Sequence, residues 1–258
     1  QASRFTLGVG AGVTIDSDAT TEYQECQIKA AFLTKLSSDV GLFETILFKT
    51  GGDQTRISRM SQHLARLAHS AKALGIPFDL LGANHLLEET SKKLRSNYEH
   101  RVRLDLSPDS ELSISSTPLE ALSPSVKLFW ANEILAGDYS ADQLTMRSHN
   151  PLLLHKVTQR SVYDAAWQKA VSLGGFDALF TNERGHVTEG GRTSIFIRGE
   201  PNGEWLTPPL SSGVLPGVMR AAILSDPNMK AREANLTITD VSSANEIMVC
   251  NALRGMIP

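Results

Sequence analysis

The sequence predicts an α+β fold arranged in two lobes, on three observations. Residues 41–49 and 101–106 alternate apolar and polar side chains with a period of two, and a stretch of helical periodicity over 58–74 lies between them. Short strand-like runs then crowd the second half, separated by turns built on Gly, Asn and Pro. No segment repeats and none is of low complexity.

Taken in order, residues 1–36 read as a unit of their own. Residues 5–15 pattern as a strand interrupted by glycines, and 22–36 as a helix with Ile28, Ala31, Phe32 and Leu36 on one face. Gly8-Val9-Gly10-Ala11-Gly12 has the look of a dinucleotide loop, but Thr14-Ile15 continue the strand pattern where a helix should start, which disfavours nucleotide binding. Residues 37–136 form the expected small lobe. It opens with the strand 41–49, a turn at Gly51-Gly52-Asp53, and the amphipathic helix 58–74, whose buried stripe is Leu64, Leu67, Ala71 and Leu74 and whose end is marked by Gly75 and Pro77. A second helix over 85–97, the strand 101–106, Ser- and Pro-rich loops around a short strand at 111–115, and a strand at 126–134 follow.

Residues 137–258 form the expected large lobe. After the connection 136–150 come a helix at 161–173, then strands at 178–181 and 186–188 around the hairpin turn Asn182-Glu183-Arg184-Gly185. Strands at 194–198 and 205–207, a helix at 218–224 opened by Pro216-Gly217, and strand-like runs at 236–239 and 246–250 complete the chain.

Composition narrows the function classes. Of 258 residues, 41% are hydrophobic and 21% charged, the balance of an ordinary globular protein with a sizeable core. A net charge of -3 gives no electrostatic reason to expect nucleic acid or an anionic membrane as partner. Cys26 and Cys250 cannot build a disulfide framework and lack metal-ligand spacing, so no metal is expected and a reducing cytoplasm fits best. No apolar run approaches the roughly 18 residues of a membrane span. The N-terminus lacks the pattern of a signal peptide and begins at Gln1, as a fragment or processed product would.

Four features carry chemistry. Lys156 follows the apolar run Leu152-Leu153-Leu154-His155, whose leucines argue for partial burial; burial lowers a lysine pKa and leaves neutral amine near pH 7. Downstream, Thr188-Glu189-Gly190-Gly191 supplies a carboxylate, and its glycines would let backbone approach a flat ligand. An amine that condenses with an aldehyde and a carboxylate that keeps a pyridine nitrogen protonated are what pyridoxal phosphate chemistry requires. Leu215-Pro216-Gly217-Val218-Met219-Arg220 places free backbone N–H groups at a helix start, where an anion binds. Arg66 lies beside the apolar stripe of its helix and can reach inward. Taken singly, each also reads as a surface lysine, a strand-end glutamate, a capped helix and a snorkelling arginine.

Together, in this order, they resemble a known family. His63-Leu64-Ala65-Arg66-Leu67, His155-Lys156-x-Thr158-x-Arg160-x-x-Tyr163-Asp164, Leu179-Phe180-Thr181-Asn182-Glu183-Arg184-Gly185-x-Val187-Thr188-Glu189-Gly190, Leu215-Pro216-Gly217-x-Met219-Arg220 and Asn251-Ala252-Leu253-Arg254-Gly255 resemble the class IV (fold type IV) pyridoxal phosphate enzymes, and most of all their aminodeoxychorismate lyases. The resemblance covers roughly residues 41–258. It implies a small α/β N-terminal lobe and a larger, β-barrel-like C-terminal lobe with helices, and a homodimer with the site near the subunit interface. It implies Lys156 as the catalytic, cofactor-bearing residue, with Arg66, Glu189, Gly217, Val218, Met219 and Ala252 around pyridoxal 5'-phosphate. Arg103, Arg160, Arg192 and Asn251 are candidates for the substrate, the arginines because a guanidinium fork suits carboxylates.

The first segment adds to this. Gly8-Val9-Gly10-Ala11-Gly12-Val13, Asp16-Ser17-Asp18 and Glu22-Tyr23-x-Glu25-Cys26-x-x-Lys29-Ala30 resemble the last stretch of a chorismate-binding enzyme such as para-aminobenzoate synthase component I. The whole then resembles the fused synthase–lyase polypeptides of folate synthesis, with Glu25, a magnesium ligand in a complete chorismate-binding domain, idle in this chain. The implied reaction is loss of pyruvate from 4-amino-4-deoxychorismate to give 4-aminobenzoate, a small-molecule substrate. Three positions depart from the family: Met219 and Ala252 stand where hydroxyl residues often contact the phosphate, and Val157 replaces a frequent threonine. Phosphate binding must then lean on backbone N–H groups and Arg66, which implies modest cofactor affinity. A class IV amino-acid transaminase of the branched-chain or D-amino acid type, and a non-catalytic remnant steadying a fused synthase, are the alternative readings.

Overall fold

The computed structural model describes residues 40–51, 54–94 and 97–258; the strand and helix expected within 1–36, with Glu25 and Cys26, lie outside them. The chain enters at β1 (Leu42–Gly51), turns into the short edge strand β2 (Gln54–Ile57), and continues into α1 (Met60–Leu74) and α2 (Leu80–Lys93). Strands β3 (Glu99–Leu106) and β4 (Leu112–Pro118) complete an antiparallel sheet in the order β2-β1-β3-β4.

Period-two alternation decides what this sheet buries. Leu42, Ile46 and Phe48 of β1 and Val102, Leu104 and Leu106 of β3 pack with Leu64, Leu67 and Ala71 of α1 and Ala83 and Leu87 of α2 into one core. The opposite phase, Phe43 and Thr45 on β1 and Arg101 and Arg103 on β3, lines a cavity instead. A one-residue slip of β3 would drive arginines into the core, so the register Thr45↔Arg103 is strongly specified. Helix α1 forms because Met60–Leu74 holds no β-branched residue and places Leu64, Leu67 and Ala71 on one stripe. It stops at Gly75, whose φ of 70° suits glycine and whose N–H returns to the carbonyls of Ala71 and Lys72.

Instead of one strand over 126–134, β5 (Leu128–Trp130) turns into the helical segment α3 (Ala131–Ile134), and β5 pairs in parallel with β7 (Asp177–Asn182). The cause is burial: Ala131 and Leu135 pack against Ala166 and Ala170 of α5 (Ser161–Ser172). The connection 136–150 contains a capped turn of helix, α4 (Ala141–Leu144), and β6 (Thr145–Met146), which also joins β7. Strand β8 (Val187–Gly190) forms the expected hairpin with β7 through Gly185, at φ 74°.

Strands β9 (Ser194–Arg198) and β10 (Trp205–Thr207), helix α6 (Val218–Ser225), β11 (Ala231–Glu233), helix α7 (Ile238–Ser242), β12 (Glu246–Asn251) and β13 (Gly255–Ile257) follow. They build a second sheet in the order β11-β10-β9-β12-β13, sharing a core with β7 and β8 through Leu179, Val187, Ile195 and Val249.

Two helix starts depart from the sequence reading for the same local reason. Helix α2 begins at Leu80 and ends at Lys93, against an expected 85–97, because the Asp79 side chain caps the Gly82 N–H at 2.9 Å. Thr237 and Asp240 form a capping box that makes helix α7 where a strand was expected over 236–239. Among the described residues no helix is long and apolar enough to cross a membrane.

Candidate active site

Between the lobes lies a cavity of about 440 Å³, within the few hundred cubic ångströms typical of small-molecule sites. All the residues singled out from the sequence line it: Lys156, Arg66, Glu189, Gly217, Val218, Met219, Ala252, Arg103, Arg160, Arg192 and Asn251.

Lys156 is reached by a route the sequence did not announce. Its leucines form a 3-10 turn, Pro151–Leu154, rather than a strand, and the next residues dock on the start of β1. The Phe43 N–H donates to the Lys156 carbonyl at 3.0 Å and the Thr158 N–H to the Gly41 carbonyl at 2.9 Å, while His155 Nδ1 lies 3.0 Å from Ser70 Oγ on α1. These contacts hold Lys156 from both sides, with its Nζ 4.7 Å from the centre of the Phe43 ring. Burial pushes the ammonium down to about 7, and the Arg66 and Arg160 guanidiniums push the same way against the pull of Glu44 and Glu189.

Glu189 sits on β8 across the cavity. Burial raises its carboxyl to about 7, opposed by a hydrogen bond of 3.0 Å from the Leu215 N–H and by the charges of Arg160, Lys156 and Arg220. The glycines after it line the cavity and also pack closely on protein. A Cβ at Gly190 would meet Asp177 Oδ2 at 2.5 Å, and one at Gly191 the Tyr163 carbonyl at 2.8 Å. Buried Asp177 accepts from the Arg192 N–H at 2.9 Å and Thr193 Oγ1 at 2.8 Å, and so fixes the loop that follows Glu189 and carries Arg192.

The third wall is the start of α6. Gly217 is its N-cap residue with no side-chain cap, so the leading N–H groups face outward as an anion site. Arg66 is tied to that end, its Nη1 donating to the Pro216 carbonyl at 3.1 Å. Met219 packs against the core cluster that holds Phe196 and Val218 is buried, so these two residues offer backbone N–H groups rather than hydroxyls, while Ser194 Oγ lies 3.1 Å from where a Cβ on Gly217 would sit.

Several residues came to light only in the structure. Glu44, 1% exposed, accepts from Arg66 Nε at 2.7 Å, from Arg66 Nη2 at 2.6 Å and from His63 Nδ1 at 2.7 Å. Burial would raise its carboxyl, but the Arg66 charge and these hydrogen bonds hold it at about 2. One signal was present in the sequence: Glu44 falls in phase with Leu42, Ile46 and Phe48, the buried side of its strand. Tyr163, on α5, lines the cavity with its buried hydroxyl lacking a hydrogen-bond partner among the described residues, and burial with Glu189 pushes its phenol above the usual range. Arg101 lines the cavity one side-chain repeat from Arg103.

The substrate candidates divide. Arg103 is held by Asp105 through bonds of 2.7–2.9 Å and stacks on Phe43 at 3.8 Å. Arg160 bonds Asp164 at 3.1 Å and the Gly191 carbonyl. Arg192 lies on Trp167 at 3.6 Å. Asn251 is committed elsewhere: its Oδ1 accepts from the N–H groups of Leu253 and Arg254 at 3.1 and 2.8 Å, shaping the turn that carries Ala252.

An amine near neutrality, a carboxyl opposite it, an uncapped helix start with an arginine beside it and an unpartnered phenol define the site of a pyridoxal-phosphate-type enzyme, and the residues fit that group. The sequence profile of the amino-transferase class IV family matches residues 41–258, and the chain belongs to that family, whose members carry pyridoxal phosphate. A Schizosaccharomyces pombe protein provisionally named an aminodeoxychorismate lyase is 25% identical over 221 residues, 83% of this chain and 86% of its own. A crystal structure from Mesorhizobium loti, provisionally named an amino-acid aminotransferase, is 32% identical with TM-score 0.73, covering 85% of this chain and 98% of that one. One from Legionella pneumophila, provisionally named a 4-amino-4-deoxychorismate lyase, is 26% identical with TM-score 0.69, covering 84% and 81%.

Proposed function

We propose that the chain is a 4-amino-4-deoxychorismate lyase, forming 4-aminobenzoate and pyruvate. The observation that carries the chemistry is that Lys156 and Glu189 line one cavity together with several arginines. Likeness to the S. pombe and L. pneumophila proteins favours the lyase within the family. Pyridoxal phosphate, when bound, supplies an aldehyde to Lys156 and a ring that accepts an electron pair. Lys156, poised at about 7, has neutral amine available at physiological pH. The same amine takes the proton from the substrate carbon that bears nitrogen. Breakage of the neighbouring carbon–oxygen bond then releases the enolpyruvyl group as pyruvate, and the six-membered ring becomes aromatic. Glu189 would hold a proton on the cofactor's heteroaromatic nitrogen. Arg66 and the Val218 and Met219 N–H groups bind the phosphate, and Arg103, Arg160 and Arg192 orient substrate carboxylates. The reading carries with it a homodimer, a cytoplasmic location and a chorismate-binding segment upstream.

The test supplies aminodeoxychorismate to protein loaded with pyridoxal phosphate and follows 4-aminobenzoate fluorescence and pyruvate together. Equimolar release, abolished by Lys156→Ala, is expected. The likeness to the M. loti protein favours a second reading, an amino-acid transaminase. Sustained amino transfer from an amino donor to a 2-oxo acid, without pyruvate from aminodeoxychorismate, would replace the first reading with the second.

A further inference from the structure

The guanidiniums of the cavity are unequally balanced. Arg103 is matched by Asp105, and Arg66 by Glu44. At the other rim a single carboxylate, Asp164, serves both Arg160, at 3.1 Å, and Arg192, at 3.8 Å. Arg101, half-buried on the cavity face of β3, makes no side-chain hydrogen bond or ion pair among the described residues. It is close enough for its charge to act on Arg192, as Arg160 does. Arg101, Arg160 and Arg192 therefore lie close enough to act on one another, with only Asp164 and the buried Asp177 acting on Arg192 against them, in a partly desolvated space where like charges repel more strongly than in water. Such a cluster is completed by an anion.

Position narrows what that anion is. Arg103 lies over the Phe43 ring, on which Lys156 Nζ also rests. Arg101 stands two residues away along β3, about 7 Å from Arg103 by strand geometry, and its neighbour on β1 is Leu47 rather than Thr45. Arg101 is thus set back from the reacting amine by about one ring's width.

We infer that Arg101, beside Arg192, is a specificity residue that binds a second substrate carboxylate, remote from the reacting amine, so that the site selects cyclic dicarboxylates over monocarboxylates. The inference rests on the reading of this cavity as the substrate site. It deepens the proposed function without needing the elimination step.

The test is calorimetric binding of benzoate and of benzene-1,3-dicarboxylate to cofactor-loaded wild type, Arg101→Gln, Arg101→Lys and, as a charge control, Lys169→Gln. Wild type is expected to favour the dicarboxylate at least tenfold, in line with the loss of a charge-assisted pair. Arg101→Gln removes most of that preference while leaving benzoate affinity and the thermal midpoint within about twofold and a degree or two of wild type. Arg101→Lys keeps part of the preference, because charge survives and the fork does not, and Lys169→Gln keeps all of it. With aminodeoxychorismate as substrate, Arg101→Gln raises KM about tenfold or more with little change in kcat. Equal binding of the two probes by wild type, binding of neither, or an undiminished preference in Arg101→Gln overturns the inference. Absence of pyruvate release with the preference intact overturns the lyase and leaves Arg101 in place.

Discussion

Replacing Glu44 by Gln probes the device that sets Arg66 at the phosphate end. The carboxylate is buried with three charge-assisted hydrogen bonds and is held at about 2, against 4.5 for a free side chain. A difference of that size corresponds to about 3 kcal/mol of folding free energy. Its sign follows from the depression: the stabilisation is complete above the unfolded value of 4.5 and is lost as pH falls through 2. Glu44→Gln removes it and leaves a mostly buried guanidinium and a buried imidazole without their counter-charge, so a loss of about 3–5 kcal/mol at pH 7 is expected. Urea unfolding of both proteins at pH 7 and pH 3 measures this. The gap between them should narrow by roughly half at pH 3, where the wild-type advantage is itself half spent. Arg66→Met in the Glu44→Gln background should cost much less than Arg66→Met alone, a coupling of about 2 kcal/mol or more. A loss under about 1 kcal/mol, a gap that ignores pH, or additive effects would refute the reasoning.

Covalent uptake of pyridoxal phosphate, followed by its visible absorbance, should quicken about tenfold per pH unit below 7 and level off above it, because Lys156 titrates at about 7; a flat profile between pH 5 and 7 contradicts that. Glu189→Gln should still take up the cofactor but turn over about 10²–10³-fold more slowly, and wild-type turnover would remove Glu189 from its role. Gly190→Ala forces a Cβ to 2.5 Å from Asp177 Oδ2 and 2.6 Å from Thr193 Oγ1, a clash worth about 1–3 kcal/mol. Gly199→Ala enters open space and should stay within about 0.5 kcal/mol of wild type; equal unfolding midpoints for the two would mean that Asp177 does not confine the loop.

Much of the site was legible because its chemistry is written in local patterns. A lysine after an apolar run, Glu189 before two glycines and Pro216-Gly217 before a helix each declare themselves within a few residues, and all three face one cavity. The alternation of β3 fixes Arg101 and Arg103 on one face whatever packs above it. What local pattern missed was either short-range capping or long-range pairing. Asp79 and Thr237 moved element starts through hydrogen bonds to backbone three residues on, and Ala131 left the strand pattern to fill a core with α5.

The sequence alone therefore marked most of the longer elements and singled out Lys156 and Glu189 as the candidate amine and acid, since side-chain period and residue chemistry are intrinsic to the chain. Only the tertiary structure decided which charges are matched. Glu44 takes Arg66 from 22 residues away, Asp177 braces a loop 15 and 16 residues on, and Arg101 has no ion-pair partner among the described residues. Such pairings depend on which surfaces the two lobes bring within hydrogen-bonding reach, and that distance is set by packing rather than by spacing along the chain.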